Sequence, residues 1–254
     1  MVLQSQGIIL KSRQEIELMR TSGRILAEII TVLQERIGPG MTTAELDAIA
    51  EREIKARKVK AAFKGYRGFP ACLCISINDE IVHGIPGSRV MEEGDVVSID
   101  AGVVYQGFYS DSAITVALGA RPQETERLIA TTRDALYAGI TAARPGARMG
   151  DVSSTIQRVI EAQHFGVVRK YVGHGIGRQL HEEPSVPNFG TPGMGLVLRP
   201  GLCIAIEPMV TVGDWRTKEH ADGWTVSTAD GSLAAHFEHS LVITEHGPEV
   251  LTVC

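Results

Sequence analysis

A chain of 254 residues that is 44% hydrophobic and only 5% aromatic can bury a good core as one large domain or two closely packed halves. Its formal charge of -5 argues against a general nucleic-acid binder or a protein that coats anionic membrane. Nowhere do about 18 apolar residues run together, so no membrane-spanning helix is expected.

The opening stretch "MVLQSQGIILKSR" carries a short apolar run with no cationic leader before it, which reads as a cytoplasmic protein. Ser12 followed by Glu15 is a capping box, and Ile16, Met19, Ile25, Leu26, Ile29, Ile30 and Leu33 continue at helical spacing until Gly38-Pro39-Gly40 stops the run. A second capping box, Thr42 with Glu45, starts a helix through Leu46, Ala50 and Ile54. The stretch from Glu51 to Gly68 then holds seven Lys and Arg against two Glu. A solvated helix end running into a loop is the ordinary reading of such a run; contact of residues 52–67 with a large anionic partner such as a ribosome is the other.

"CLCISIND", Asp95 to Thr115, "GLCIAIEPMV" and "AHFEHSLVIT" are short, rich in Ile and Val and bounded by Gly, Pro or Asp, the pattern of strands. Asp95 to Thr115 reads as a hairpin. With its tight turn centred between Tyr105 and Gln106, Asp100 stands directly opposite Asp111, about 4.5–5.5 Å away between Cβ atoms, where like charges repel. The cysteines at 72, 74, 203 and 254 form neither a CxxC pair nor a zinc-finger spacing, so reduced thiols are expected. An internal echo runs at an offset of 106: Pro39 to Ala56 aligns without a gap on Pro145 to Ala162, matching Gly40 with Gly146, Leu46 with Val152, Arg52 with Arg158 and Ile54 with Ile160. A duplication would make each half two helices plus strands, with the strands of both in one central sheet and a cleft between the halves.

Five polar residues occupy positions otherwise suited to burial: Asp100 and Asp111 in the hairpin, His174 in "YVGHGIG", Glu207 at the end of "GLCIAIE" and Glu238 inside "HFEHSLVIT". Unpaired, each buried carboxylate would cost several kcal/mol or take up a proton. No Lys or Arg lies within these segments. Two divalent cations would balance four carboxylates, and a set of oxygen ligands with one imidazole suits Mn, Fe(II), Co or Zn. Such a pair, about 3.5–4 Å apart, needs bridging carboxylates and turns its bridging water into hydroxide near neutral pH.

These segments, with "LKSRQEIELMR", "FKGYRGFPACLCISINDEIVHGIP", "YVGHGIGRQLHEEP" and "DGWTVSTADGSLAAHFEHS", resemble the type I methionine aminopeptidases over nearly the whole chain. The resemblance implies the α/β (α+β) pita-bread fold, with pseudo-two-fold duplicated halves (roughly 12–120 and 121–254) around a mostly antiparallel central sheet covered by helices, in one catalytic domain spanning 1–254. It implies Asp100, Asp111, His174, Glu207 and Glu238 as ligands of two divalent metal ions, with Asp111 and Glu238 bridging. His83 would contact the scissile amide nitrogen and His181 would steady the carbonyl oxygen, both suited to an imidazole. In the implied reaction a metal-bridging hydroxide attacks the first peptide carbonyl, and Glu207 relays the proton to the leaving amine. Tyr66, Phe69, Cys74 and Trp224 would line the methionine pocket, where a thiol beside aromatic faces suits a thioether, and the second substrate residue would have to be small.

His236 stands where the family usually carries Gln: it is open to a role orienting Glu238, a role as an additional ligand, or none, and the orienting role is the one preferred. Strand alternation would point it to the same face as Glu238. Ser240 for the usual Thr and Leu180 for a common aromatic are milder departures. The alternatives are a proline-specific aminopeptidase or prolidase of the same fold and a catalytically silent binding protein. The expected N-terminal domain of the former and the long insertion of type II enzymes between Glu207 and Glu238 are both missing from this sequence. The implied partners are the N-termini of nascent polypeptides, with no specific nucleic acid and no membrane, and the lack of a coiled-coil seam leaves a monomer as the expectation.

Overall fold

The computed structural model describes residues 7–254; the opening residues 1–6, part of the N-terminal reading above, lie outside the described residues. Both capping boxes form. Helix α1 (Arg13–Arg36) is capped by Ser12 and α2 (Thr43–Ala56) by Thr42, with Glu15 and Glu45 closing back on the cap amides. Two further helices, α3 (Gln123–Ala142) and α4 (Met149–Glu161), follow the hairpin.

The second helix pair is wired to the chain as the first is. Gly40 and Gly146 both sit at φ +87°, a left-handed geometry that a side chain would strain. The Gly40 amide donates to the Met91 carbonyl and the Gly146 amide to that of Leu198; Met91 and Leu198 donate back to Met41 and Ala147. Glu45 accepts from the Thr42 amide at 2.7 Å, and Asp151 from the Arg148 amide at 2.8 Å.

Leu26, Ile29, Leu33, Leu46 and Ile54 of α1 and α2 bury against Ile75, Ile77, Val97 and Ile99. Leu128, Leu136, Ile140, Val152, Ile156 and Ile160 of α3 and α4 bury against Ile204, Ile206, Leu241 and Ile243. Both apolar stripes thus cover one nine-stranded sheet, whose pairings among the described residues are all antiparallel. Along it run Lys60–Ala61, Val96–Tyr105, Phe108–Ala117, Glu238–Thr244, Cys203–Ile206, Gly173–Gly175 and Glu182–Val186, with Leu73–Ile77 on the second strand and Gly247–Val250 on the fourth. Strands from before and after residue 120 meet at one seam, Ala113 opposite Glu238 and Ser112 opposite His239.

Two strand readings need correction. The hairpin turn is centred between Gln106 and Gly107, at φ +48° and +84°, and Tyr105 pairs with Phe108. Two consecutive left-handed residues make the primed turn whose twist matches the flanking strands. Asp100 therefore opposes Ala113 and Asp111 opposes Gly102; the two acids lie diagonally on one face rather than in direct opposition, with their carboxyl groups in hydrogen-bond contact. The other correction concerns "GLCIAIEPMV" and "AHFEHSLVIT", which are each two strands. The first breaks at Glu207-Pro208 and the second at Phe237, where Met209–Thr211 and Ala234–His236 leave for a separate three-stranded sheet. His236 and Glu238 thus belong to different sheets, and simple alternation does not relate them.

Candidate metal centre

The register places the acids in two neighbouring cross-strand rows on one face of the large sheet. Cys74 pairs with Asp100, Asp100 with Ala113 and Ala113 with Glu238. In the next row Gly102 pairs with Asp111, and Ser240, whose hydroxyl is exchanged with the Asp111 backbone at 2.8–3.0 Å, pairs with Ala205, which pairs in turn with His174. The residues between the functional side chains are small, which leaves room above the sheet. Glu207 enters from the strand break beside this patch, its carbonyl held by the Asn188 side-chain amide at 2.9 Å.

All five residues converge. His174 Nε2 lies 3.8 Å from Asp111 Oδ2 and 3.6 Å from Glu207 Oε1. Its other ring nitrogen faces the Gly175 carbonyl at 2.9 Å; a proton there leaves the Nε2 lone pair turned to the acids. His236 joins them, with Nε2 3.8 Å from Glu207 Oε2 and 3.9 Å from Glu238 Oε2. Two groups have ligand atoms within 4.8 Å of one another: Asp111, His174 and Glu238, and Glu207, His236 and Glu238. Glu238 is common to both. Asp100 falls in neither group and reaches the centre through its place beside Asp111.

Electrostatics give the fit of a cation a direct test. Burial pushes the Asp100 carboxyl up to about 7. Asp111, Glu207 and Glu238 are pushed well above the carboxylate range, first by burial and then by one another's charge. Among the described residues their ion pairs run only to His174 and His236. Asp100 Oδ1, Asp111 Oδ1 and Glu238 Oε1 are buried without a hydrogen-bond partner. Orphaned acceptors of this kind are costly, and hard divalent cations satisfy oxygen lone pairs that no donor reaches.

His181 and His83 flank the acids. The His181 ring lies 4.2 Å from that of His174, centroid to centroid, and its Nδ1 is 2.9 Å from the Tyr66 hydroxyl. With that hydroxyl donating, Nε2 carries the ring proton. Desolvation, then the charges of His174 and Arg67, lower the His181 pKa, and burial lowers that of His83, so both are neutral donors at pH 7. His83 is held at φ +61°, a strained setting for a residue with a side chain. Its ring meets Trp224 and Tyr171 edge-on at 6.3 and 5.8 Å.

Tyr66, Phe69, Cys74 and Trp224 fall in one apolar cluster, with Phe69 against Trp224 at 5.1 Å. A cavity of about 610 Å³ has His174 and His181 in its wall with Ile9, Arg178 and Glu183 and includes none of those four. Sequence reasoning missed Tyr171, Asn188 and Thr115. Tyr171 had a weak signal in its place three residues before His174; Asn188, fully buried, had none short of the tertiary contact.

The model of metallopeptidase family M24 matches residues 17–245. The chain is 51% identical over 246 residues to a methionine aminopeptidase of Clostridium perfringens, covering 97% of this chain and 99% of that protein. The crystal structure of a methionine aminopeptidase from Thermotoga maritima superposes with a TM-score of 0.96 at 47% identity, over 97% of this chain and 100% of that one. A prolidase from Pyrococcus furiosus, 23% identical, gives a TM-score of 0.76 over 97% of this chain and 66% of its own, a likeness of fold alone.

Proposed function

The chain belongs to metallopeptidase family M24, and from that premise we propose that it is a metal-dependent aminopeptidase of the pita-bread fold that removes the N-terminal methionine from nascent polypeptides whose second residue is small. The observation that carries this reading is the nest of four acids, three of them with orphaned buried oxygens, set on the seam of the sheet, in a chain 51% identical to a methionine aminopeptidase.

Asp100, Asp111, His174, Glu207 and Glu238 would hold two divalent ions, Co, Mn, Fe(II) or Zn, with Asp111 and Glu238 shared between them. Bound there, the ions would lower the pKa of water and polarise the scissile carbonyl. Around them the chain's own groups divide the work. Glu207 would accept a proton from the attacking water on a carboxylate oxygen and return it to the departing amine. His181, its Nδ1 engaged by Tyr66, offers Nε2–H to the carbonyl oxygen as charge develops there. His83, at φ +61° and against two aromatic edges, would contact the amide nitrogen. Tyr66, Phe69, Cys74 and Trp224 would take the methionine side chain; Cys74, opposite Asp100 in the sheet, would bring that pocket next to the acids. Burial raises the Cys74 thiol well above its usual range, so it stays neutral and packs as an apolar group.

The recurrence of helix pair and glycine turn supports one catalytic domain of two related halves, about 12–120 and 121–254. Among the described residues no helix is long and apolar enough to cross a membrane; that the protein is a cytoplasmic monomer meeting chains as they emerge from the ribosome is part of the same proposal. The proline-specific and silent readings are not favoured.

Release of free methionine from Met-Ala-Ser, compared with Met-Leu-Ser and Ala-Pro-Ala with and without chelator, tests the assignment. Met-Ala-Ser should be cleaved, Met-Leu-Ser spared and chelator should stop the reaction; preference for the proline peptide would overturn it. Glu207→Gln should abolish turnover and keep the circular dichroism of the wild type.

A further inference from the structure

His236 is the one imidazole in the centre whose two ring nitrogens are both buried and both without a hydrogen-bond partner. The side chain is 1% exposed. Its Nε2 stands 3.8 and 3.9 Å from carboxylate oxygens of Glu207 and Glu238. Hydrogen bonds from nitrogen to oxygen span about 2.7–3.2 Å, so these contacts are too long for His236 to be orienting either acid. Donors that share an ion at metal–nitrogen and metal–oxygen distances of about 2.0–2.2 Å stand about 3.0–3.5 Å apart at right or tetrahedral angles, so an ion held between them needs these side chains to close by only a few tenths of an ångström. His174, at 3.6 and 3.8 Å from its own pair of carboxylate oxygens, shows the same spacing.

The backbone holds His236 there. Its amide donates to Thr115 Oγ1 at 2.9 Å, and the Thr115 hydroxyl donates to its carbonyl at 2.7 Å. On the other edge it pairs with Met209 in the small sheet.

Resting on the metal centre described above, we propose that His236 is itself a ligand, its Nε2 completing with Glu207 and Glu238 one of the two cation positions. A neutral imidazole adds a donor without disturbing the balance of four carboxylates against two dications. It also makes the two positions alike, each with one nitrogen: His174 on one, His236 on the other. Imidazole suits Co and Zn better than Mn, which favours oxygen. The His236 position should therefore discriminate against manganese more than an all-oxygen site would.

The test uses the full chain stripped with chelator and reloaded with two equivalents of cobalt(II). In the proton NMR spectrum each cobalt-bound imidazole contributes one strongly shifted ring N–H resonance that disappears in D2O. Wild type should show two, and His236→Gln and His174→Gln one each. Glutamine keeps the capacity to hydrogen-bond but has no ring nitrogen, so a merely orienting role would survive it. By calorimetry His236→Gln should weaken one cobalt site by more than the roughly 10- to 100-fold that loss of an orienting partner costs, and manganese binding by less. Circular dichroism checks the fold, with His236→Asn as the second variant should the first not fold. A single exchangeable resonance in wild type, or two retained in His236→Gln with unchanged cobalt affinity, would overturn the proposal while leaving the centre intact. Wild type and Asp111→Asn giving the same trace, with no cobalt bound, would instead sink the metal centre itself.

Discussion

Without metal, the centre should destabilise the fold increasingly as pH rises, and Asp100→Asn isolates part of that cost. Burial is the main cause of the Asp100 pKa of about 7 in the folded state; in the unfolded chain an aspartate returns to about 3.9. Between those values the folded state binds more protons than the unfolded one. The stability tied to this group is therefore complete below the unfolded pKa and falls as pH rises towards 7. The gap is shared with the Asp111 carboxyl, which is hydrogen-bonded to Asp100, and makes this a cost on the order of a few kcal/mol. Asparagine has the shape of the protonated acid and cannot ionise. In chelator, the stability of the variant relative to wild type should rise by on the order of a few kcal/mol from pH 4 to pH 7. Relief of the charge that Asp100 places on Asp111, Glu207 and Glu238 acts in the same direction. With saturating manganese the order should reverse, because binding to the folded state stabilises the chain with the full ligand set. Urea denaturation followed by circular dichroism, at several pH values with chelator or metal, reads both effects. A relative stability that does not change with pH in chelator, or a variant weaker than wild type at pH 7 without metal, would refute the reasoning.

The buried pair of Lys11 and Glu182, with side chains 2% and 6% exposed, ties the N-terminal segment to the loop carrying His181; Lys11→Met should cost about 3–5 kcal/mol in urea denaturation and lower kcat/KM for the methionyl peptide. Gly23→Ala should destabilise α1 by about 1–3 kcal/mol despite the better helix former, since its Cβ would fall 2.2 Å from the Leu251 carbonyl oxygen; a thermal melt at or above wild type would contradict this. In the basic stretch 52–67, Lys55 and Lys64 pair with Glu51, and Arg57 with Glu53 and Glu28, while Arg52, Lys58 and Lys60 are exposed. If these three meet ribosomal RNA, co-sedimentation with ribosomes should fall steeply with salt and be lost when all three become Glu; salt-insensitive behaviour would leave the stretch as a solvated helix end.

Local chemistry was legible in the residues themselves. Capping boxes announced α1 and α2 because a side chain three residues away satisfies the orphan amides, a relation contained within one turn. The acids were visible as charges in apolar strands, since burial penalises a carboxylate wherever the chain goes, and the demand for positive charge followed from their number. Register was not legible. Moving the turn by one residue, from Tyr105-Gln106 to Gln106-Gly107, changed which residue faces Asp100, and only the twist-matched turn in the folded sheet chose between them. His236 marks the same boundary. Alternation within a single strand suggested its direction, yet the chain changes sheets at Phe237, and the imidazole reaches the acids because two sheets meet there. What the sequence by itself determined was that buried charge had to be neutralised; where each donor stands was decided by strands from distant parts of the chain pairing at one seam, which is a non-local choice that no short stretch of residues contains.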